Sequence, residues 1–137
     1  MNRTEIRRQL ASAGHCEHEW LNKYMRFIWE PPEPASYHRH HILPKSIFPD
    51  YESFEEHPWN RKWLSASGHL TAHYLLFRAL PKEPHLYRAF VEMNAKALAG
   101  SDQDVRELAA TFQKDVCDSG LMLHWKRKQI SDDDVPF

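Results

Sequence analysis

The chain has 137 residues, 42% of them apolar and 12% aromatic, which fits one compact domain with a buried core. Its formal net charge of -1 speaks against a binder that holds nucleic acid by phosphate neutralisation alone. Its two cysteines, Cys16 and Cys117, form no C-x-x-C pair, which excludes a zinc ribbon or knuckle. With no signal peptide and no apolar stretch long enough to span a membrane, a reducing cytoplasm is the expected location, without disulfides.

In chain order, residues 4–13 read as a short helix ending before Gly14. Residues 17–29 follow as a second, with Trp20, Leu21, Tyr24, Met25 and Ile28 on one stripe and Pro31-Pro32 as the stop. A β-prone stretch then ends at His40-His41, where Ile42-Leu43-Pro44 closes a strand rather than continuing one. Residues 67–80 form a helix that begins at a capping-type serine, Ser67, and stops before Pro81. A proline start and apolar residues at Leu86, Phe90, Met93 and Ala97 make 84–98 helical, with Gly100 as its stop. Residues 102–117 repeat the pattern with Val105, Leu108, Ala109, Phe112 and Val116. Residues 121–137 are ambiguous: 121–125 can pack, Lys126-Arg127-Lys128 face solvent, and Asp132-Asp133-Asp134 resembles a frayed tail. The expected class is α+β and mostly helical.

Ten histidines are the chain's chemical signature. His69 and His73 are four apart on a predicted helix, so their imidazoles stack on one face and can converge on one ion. His40 and His41 stand at a strand end, where both side chains can approach that site. One of them would complete a three-imidazole set that leaves coordination positions open for water and substrate, as a catalytic metal requires. The other would be free to take a proton, and an imidazole, with an ordinary pKa of about 6.5, does so near neutral pH.

His40-His41-Ile42, Trp59-Asn60 and His69-x-x-x-His73, together with Pro44-Lys45-Ser46, resemble the HNH endonuclease family in its doubled-histidine variant. The run from Tyr24 to about Asn94 resembles the small phage-type HNH proteins related to homing endonucleases. This resemblance implies a ββα-metal finger whose first strand ends at His40-His41, whose second is Arg61-Lys62-Trp63-Leu64 and whose helix carries His69 and His73. It further implies His40, His69 and His73 as metal ligands, His41 as general base and Asn60 as the residue that fixes the base. The implied layout is one domain over 1–137, with N-terminal helices in 1–30, the HNH core in 36–80, C-terminal helices in 84–128 and an acidic tail in 129–137. Relatives often have Gly-Gly after Pro-Lys-Ser; here Ile47-Phe48-Pro49-Asp50 and an acidic stretch follow.

The implied activity is hydrolysis of DNA phosphodiester bonds, of a homing or nicking kind, with one divalent ion. Three imidazoles favour Zn2+ by ligand type, while the resemblance favours Mg2+ or Mn2+. Lys45, Arg61 and Lys62 are candidate nucleic-acid contacts. Arg3, Arg7 and Arg8, with Arg61, Lys62 and residues 126–128, could form a local basic face, and the near-neutral charge leaves room for a protein partner. His38 is read as a partly exposed sheet histidine, or else an auxiliary ligand; His57, His85 and His124 are read as surface or packing residues. The cluster His15-Cys16-Glu17-His18 is assigned no metal. The alternative function is a non-catalytic, zinc-stabilised nucleic-acid or protein interaction module.

Overall fold

A computed structural model of the chain describes residues 1–121; the expectations for 122–137, including His124, the basic triplet and the acidic tail, lie outside the described residues. The fold is α+β and mostly helical. Its helices are α1 (Arg3–Ala11), α2 (His18–Trp29), α3 (Ala66–Ala79), α4 (Pro84–Ala99) and α5 (Gln103–Asp118). Strands β1 (His38–His41) and β2 (Arg61–Leu64) pair antiparallel, with His38 opposite Leu64, Arg39 opposite Trp63, His40 opposite Lys62 and His41 opposite Arg61. The 42–60 connection contains two 3-10 turns, Pro49–Tyr51 and Pro58–Asn60.

α1 opens on a capping box: the Asn2 side chain accepts from Glu5 N–H at 2.9 Å and the Glu5 carboxylate from Asn2 N–H at 3.2 Å. It stops at Ala11, short of residue 13, with Ser12 as its C-cap, whose hydroxyl donates to the Arg8 carbonyl at 2.9 Å. α2 buries Leu21, Tyr24, Met25 and Ile28, the predicted stripe, while Trp20 is half-buried against it. Glu17 N–H donates to the Ala79 carbonyl at 2.8 Å, so the start of α2 satisfies an orphan acceptor at the end of α3.

α3 is the central element. It touches α2, α4, α5 and both strands, and Leu70, Ala72, Tyr74, Leu75, Leu76, Phe77 and Ala79 are buried around most of its circumference. Its cap is Ser65, not the expected Ser67: the Ser65 hydroxyl accepts from Gly68 N–H at 3.0 Å. β2 ends at Leu64 and leaves one residue for the turn. The Ser67 hydroxyl instead donates to Glu33 at 2.8 Å, as does that of Ser65 at 2.6 Å.

α4 and α5 form a hairpin over α3. Pro84 sits in the first turn of α4, and Asp102 caps α5 by accepting from Val105 N–H at 3.2 Å. Asn94 is buried between them and donates to the Ala109 carbonyl at 3.0 Å. Tyr74 stacks on Phe112 with ring centroids 4.0 Å apart, and Phe77 on Phe90 at 5.6 Å, so aromatic contacts lock the hairpin to α3.

Candidate metal centre

His40 enters the interior because strand alternation turns it inward with its partner Lys62, opposite to Arg39 and His41. It is 1% exposed. Its Nε2 lies 2.8 Å from the hydroxyl of Tyr24, which donates its own proton to the Ile42 carbonyl at 2.7 Å. Burial pushes the Tyr24 pKa well up, so the phenol stays protonated. With its proton committed to a carbonyl that can only accept, the Tyr24 oxygen accepts from His40, and Nε2 carries the imidazole hydrogen. His40 Nδ1 therefore holds a lone pair, buried and without a partner among the described residues.

His73 Nδ1 is likewise buried and without a hydrogen-bond partner among the described residues. His69, one turn earlier on α3, has its Nδ1 3.2 Å from His38 Nδ1. One ring nitrogen from each of His40, His69 and His73 lies within 4.8 Å of the others, so the three can hold one metal ion. Bare buried ring nitrogens are costly unless a further partner satisfies them, and three imidazole lone pairs suit a divalent cation. The donor set fits a metal.

Electrostatics keeps these donors ready. Burial, then His73, His69 and His41, hold His40 well below the ordinary imidazole pKa. Burial, then His38 and His41, lower His69 to about 4. Burial, then His69 and His41, lower His73 to about 3. All three are neutral at pH 7, the form that binds metal.

His41, half-buried at the end of β1, has Nε2 3.0 Å from the Glu52 carbonyl and its ring stacked on Phe54 at 4.1 Å. A carbonyl only accepts, so Nε2 carries the hydrogen and Nδ1 is the acceptor. Although the strand turns His41 away from His40, it lines one cleft of ≈ 560 Å³ with His69 and His73. Asn60 is fully buried and clasps the connection: its Oδ1 accepts from Leu43 N–H at 2.7 Å, and its Nδ2 donates to the carbonyls of Leu43 at 3.1 Å and Tyr51 at 3.0 Å. Its own carbonyl accepts from Ile42 N–H at 2.9 Å. Asn60 thus fixes the chain just after His41 and just before Glu52, the residue that holds the His41 ring.

Of the basic candidates, Lys45 lines the cleft, its Nζ 3.9 Å from Glu52. Arg61 and Lys62 do not line it. Arg61 lies over the Trp63 ring at 5.2 Å, and Lys62 is half-buried on the face of His40. Arg3 and Arg7 line a separate groove between α1 and α2 that shares no residue with the cleft. His57 packs against Tyr51 and Trp59, as a packing residue should. His85 is exposed and lines the cleft from α4, with Arg88; Arg39 lines it from β1.

Sequence reasoning placed Tyr24 on a core stripe and had no signal for its polar end, because periodicity reports a face and not a partner. Arg39, His85, Arg88 and Glu52 were likewise without signal: the first three reach the cleft through packing of separate elements, and the Glu52 carbonyl reaches the His41 ring from the 42–60 connection. In comparisons with known protein families, with curated protein sequences and with solved structures, nothing matched the chain.

Proposed function

We propose that the chain is a metal-dependent DNA endonuclease of the HNH type, with a ββα-metal core within residues 36–80. The observation that carries this reading is the pair of buried, unpartnered ring nitrogens, His40 Nδ1 and His73 Nδ1, on imidazoles that cluster with His69 beside a cleft that also takes in His41. The succession β1, β2, α3, with His40 on the first strand and His69 and His73 on the helix, supports it. Held by His40, His69 and His73, a divalent ion supplies Lewis acidity to a phosphate's non-bridging and departing oxygens. Mg2+ or Mn2+ is favoured by the family resemblance and Zn2+ by the ligand type.

The protein's own part is positioning and proton transfer. His41 donates Nε2–H to Glu52 and keeps Nδ1 to take the proton of an attacking water. Phe54 fixes the plane of the ring, and Asn60 fixes the backbone on both sides of it. Lys45, Arg39 and Arg88 line the cleft where a phosphate would sit. Glu92 engages Arg88 through Nε at 3.1 Å, which leaves the terminal guanidinium nitrogens for an anion.

Incubation of supercoiled plasmid with each of Mg2+, Mn2+ and Zn2+, with and without chelator, tests the reading. Cleavage that needs metal and leaves 5′-phosphate and 3′-hydroxyl ends is expected. Cleavage confined to RNA, indifferent to chelator and ending in 2′,3′-cyclic phosphate would replace it with an acid-base histidine pair. A second reading, a zinc-stabilised interaction module without catalysis, draws on His38, which stands beside His69 and could close the site as a fourth ligand. Zn2+ that raises the melting temperature of a protein inert toward every nucleic acid would favour it.

A further inference from the structure

Trp20, Trp29 and Trp59 pack against the core, but Trp63 does not, and it is 38% exposed in the middle of β2. A single exposed aromatic needs no explanation. This one belongs to a composed surface. The register places Trp63 opposite Arg39 and Arg61 opposite His41, and alternation puts all four side chains on the outer face of the hairpin. The Arg61 guanidinium lies 5.2 Å from the Trp63 ring centroid, and that of Arg39 lies 6.0 Å from the Phe54 ring that supports His41. Among the described residues no other ring or cation stands against Trp63.

This face continues into the metal cleft. Arg39 and His41 belong to both, since they also line the cavity with His69 and His73. Two arginines at its edge complement a polyanion, whereas the chain as a whole, at a net charge of -1, lacks the broad basic surface that duplex binding by phosphate contacts demands. Stacking of bases on an aromatic side chain needs no net charge and suits every base.

We propose that Trp63 is a base-stacking platform, and that the chain acts on a nucleic-acid strand with an unpaired base next to the phosphate held in the cleft. This rests on the nuclease reading for the cleft, and adds the form of the substrate. In an intact duplex the bases stack on one another and cannot lie on a sheet face, so the platform selects single-stranded or locally opened DNA.

Fluorescence anisotropy with the full chain in chelator tests it, using a short fluorescein-labelled DNA single strand and the duplex of the same sequence. The single strand is expected to bind more tightly, and Trp63→Ala to weaken that binding about tenfold or more while leaving duplex binding unchanged. Trp63→Phe should restore most of the loss, which a misfolded variant would not do. Arg61→Ala should lower the salt dependence of binding by about one unit of slope, and Trp63→Ala should not alter it. Equal binding of duplex and single strand, or a Trp63→Ala variant that binds as wild type does, would overturn the proposal. Metal-dependent cleavage whose KM and strand preference survive Trp63→Ala would remove the platform and leave the nuclease. Strand binding lost in Trp63→Ala, in a protein that cleaves nothing with any metal, would support the platform and remove the nuclease.

Discussion

The hydroxyl of Tyr24 on α2 accepts the Nε2 hydrogen of His40 on β1, joining two residues 16 apart in the chain and leaving the other imidazole nitrogen bare. A group of this kind sets the tautomer and aim of a metal-binding histidine, and its loss costs about 10–100-fold in metal affinity. Tyr24→Phe keeps the ring and removes only the oxygen. Titration calorimetry should show metal binding weakened by about tenfold with the fold retained, while the unpaired Nε2–H and Ile42 carbonyl lower stability by about 1–3 kcal/mol. Unchanged affinity would mean that His40 does not bind the ion through Nδ1.

The division of labour between His41 and His73 gives a crossed pair of outcomes. His41→Ala should abolish plasmid cleavage and leave metal affinity nearly intact, since His41 stands outside the three-nitrogen cluster. His73→Ala should lose metal binding itself. If calorimetry returned the reverse, ligand and base would have to be exchanged.

Acid should destabilise the metal-free protein. His69 is held at about 4 and His73 at about 3, His40 lies well below the ordinary value, and all three rise to about 6.5 on unfolding. Below pH 6.5 the unfolded chain therefore binds more protons than the folded one. The contribution of these groups to stability is complete above that value and is lost as pH falls toward about 3. Thermal melts of the chelated protein from pH 7 to 4 should show a falling midpoint. His40→Phe and His73→Phe should flatten the slope; an equally steep loss in both would place the proton uptake elsewhere.

Asn60 should act on rate as well as on stability. Asn60→Ala removes three side-chain hydrogen bonds and leaves a Leu43 N–H and two carbonyls unpaired, at a cost of at least about 2 kcal/mol in denaturant titrations. Because the same bonds frame His41, kcat should drop by more than tenfold at a metal affinity close to wild type, measured where the variant is fully folded. Equal loss of kcat and metal affinity would reduce Asn60 to a general structural role.

Much of this was legible in the sequence, for stated reasons. The helix of His69 and His73 is a matter of apolar spacing and a proline stop, and the strand of Arg61 to Leu64 coincides with its expected range. The cap of α3 was misplaced by two residues because Ser65 and Ser67 are chemically equal, and only the short turn after Leu64 decides between them. His40, His69 and His73 came together as expected. What was not legible was everything that depends on which helix packs beside which: the Tyr24 hydroxyl, the α4 wall with His85 and Arg88, and the Glu52 carbonyl that sets the His41 tautomer. Of the two lysines proposed for nucleic acid, Lys45 lines the cleft and Lys62, on the face of His40, does not.

α3 is enclosed by α2, α4, α5 and both strands, and two of the three clustered imidazoles ride on it. A ligand on a frayed terminus or loop can swing out and back many times before the rest of a protein notices. Here the backbone of His69 and His73 has no such freedom, and it should withdraw only in openings that disrupt much of the core. An ion held there would therefore exchange through the cleft that His69 and His73 line, by rotation of the side chains and not by movement of the α3 backbone.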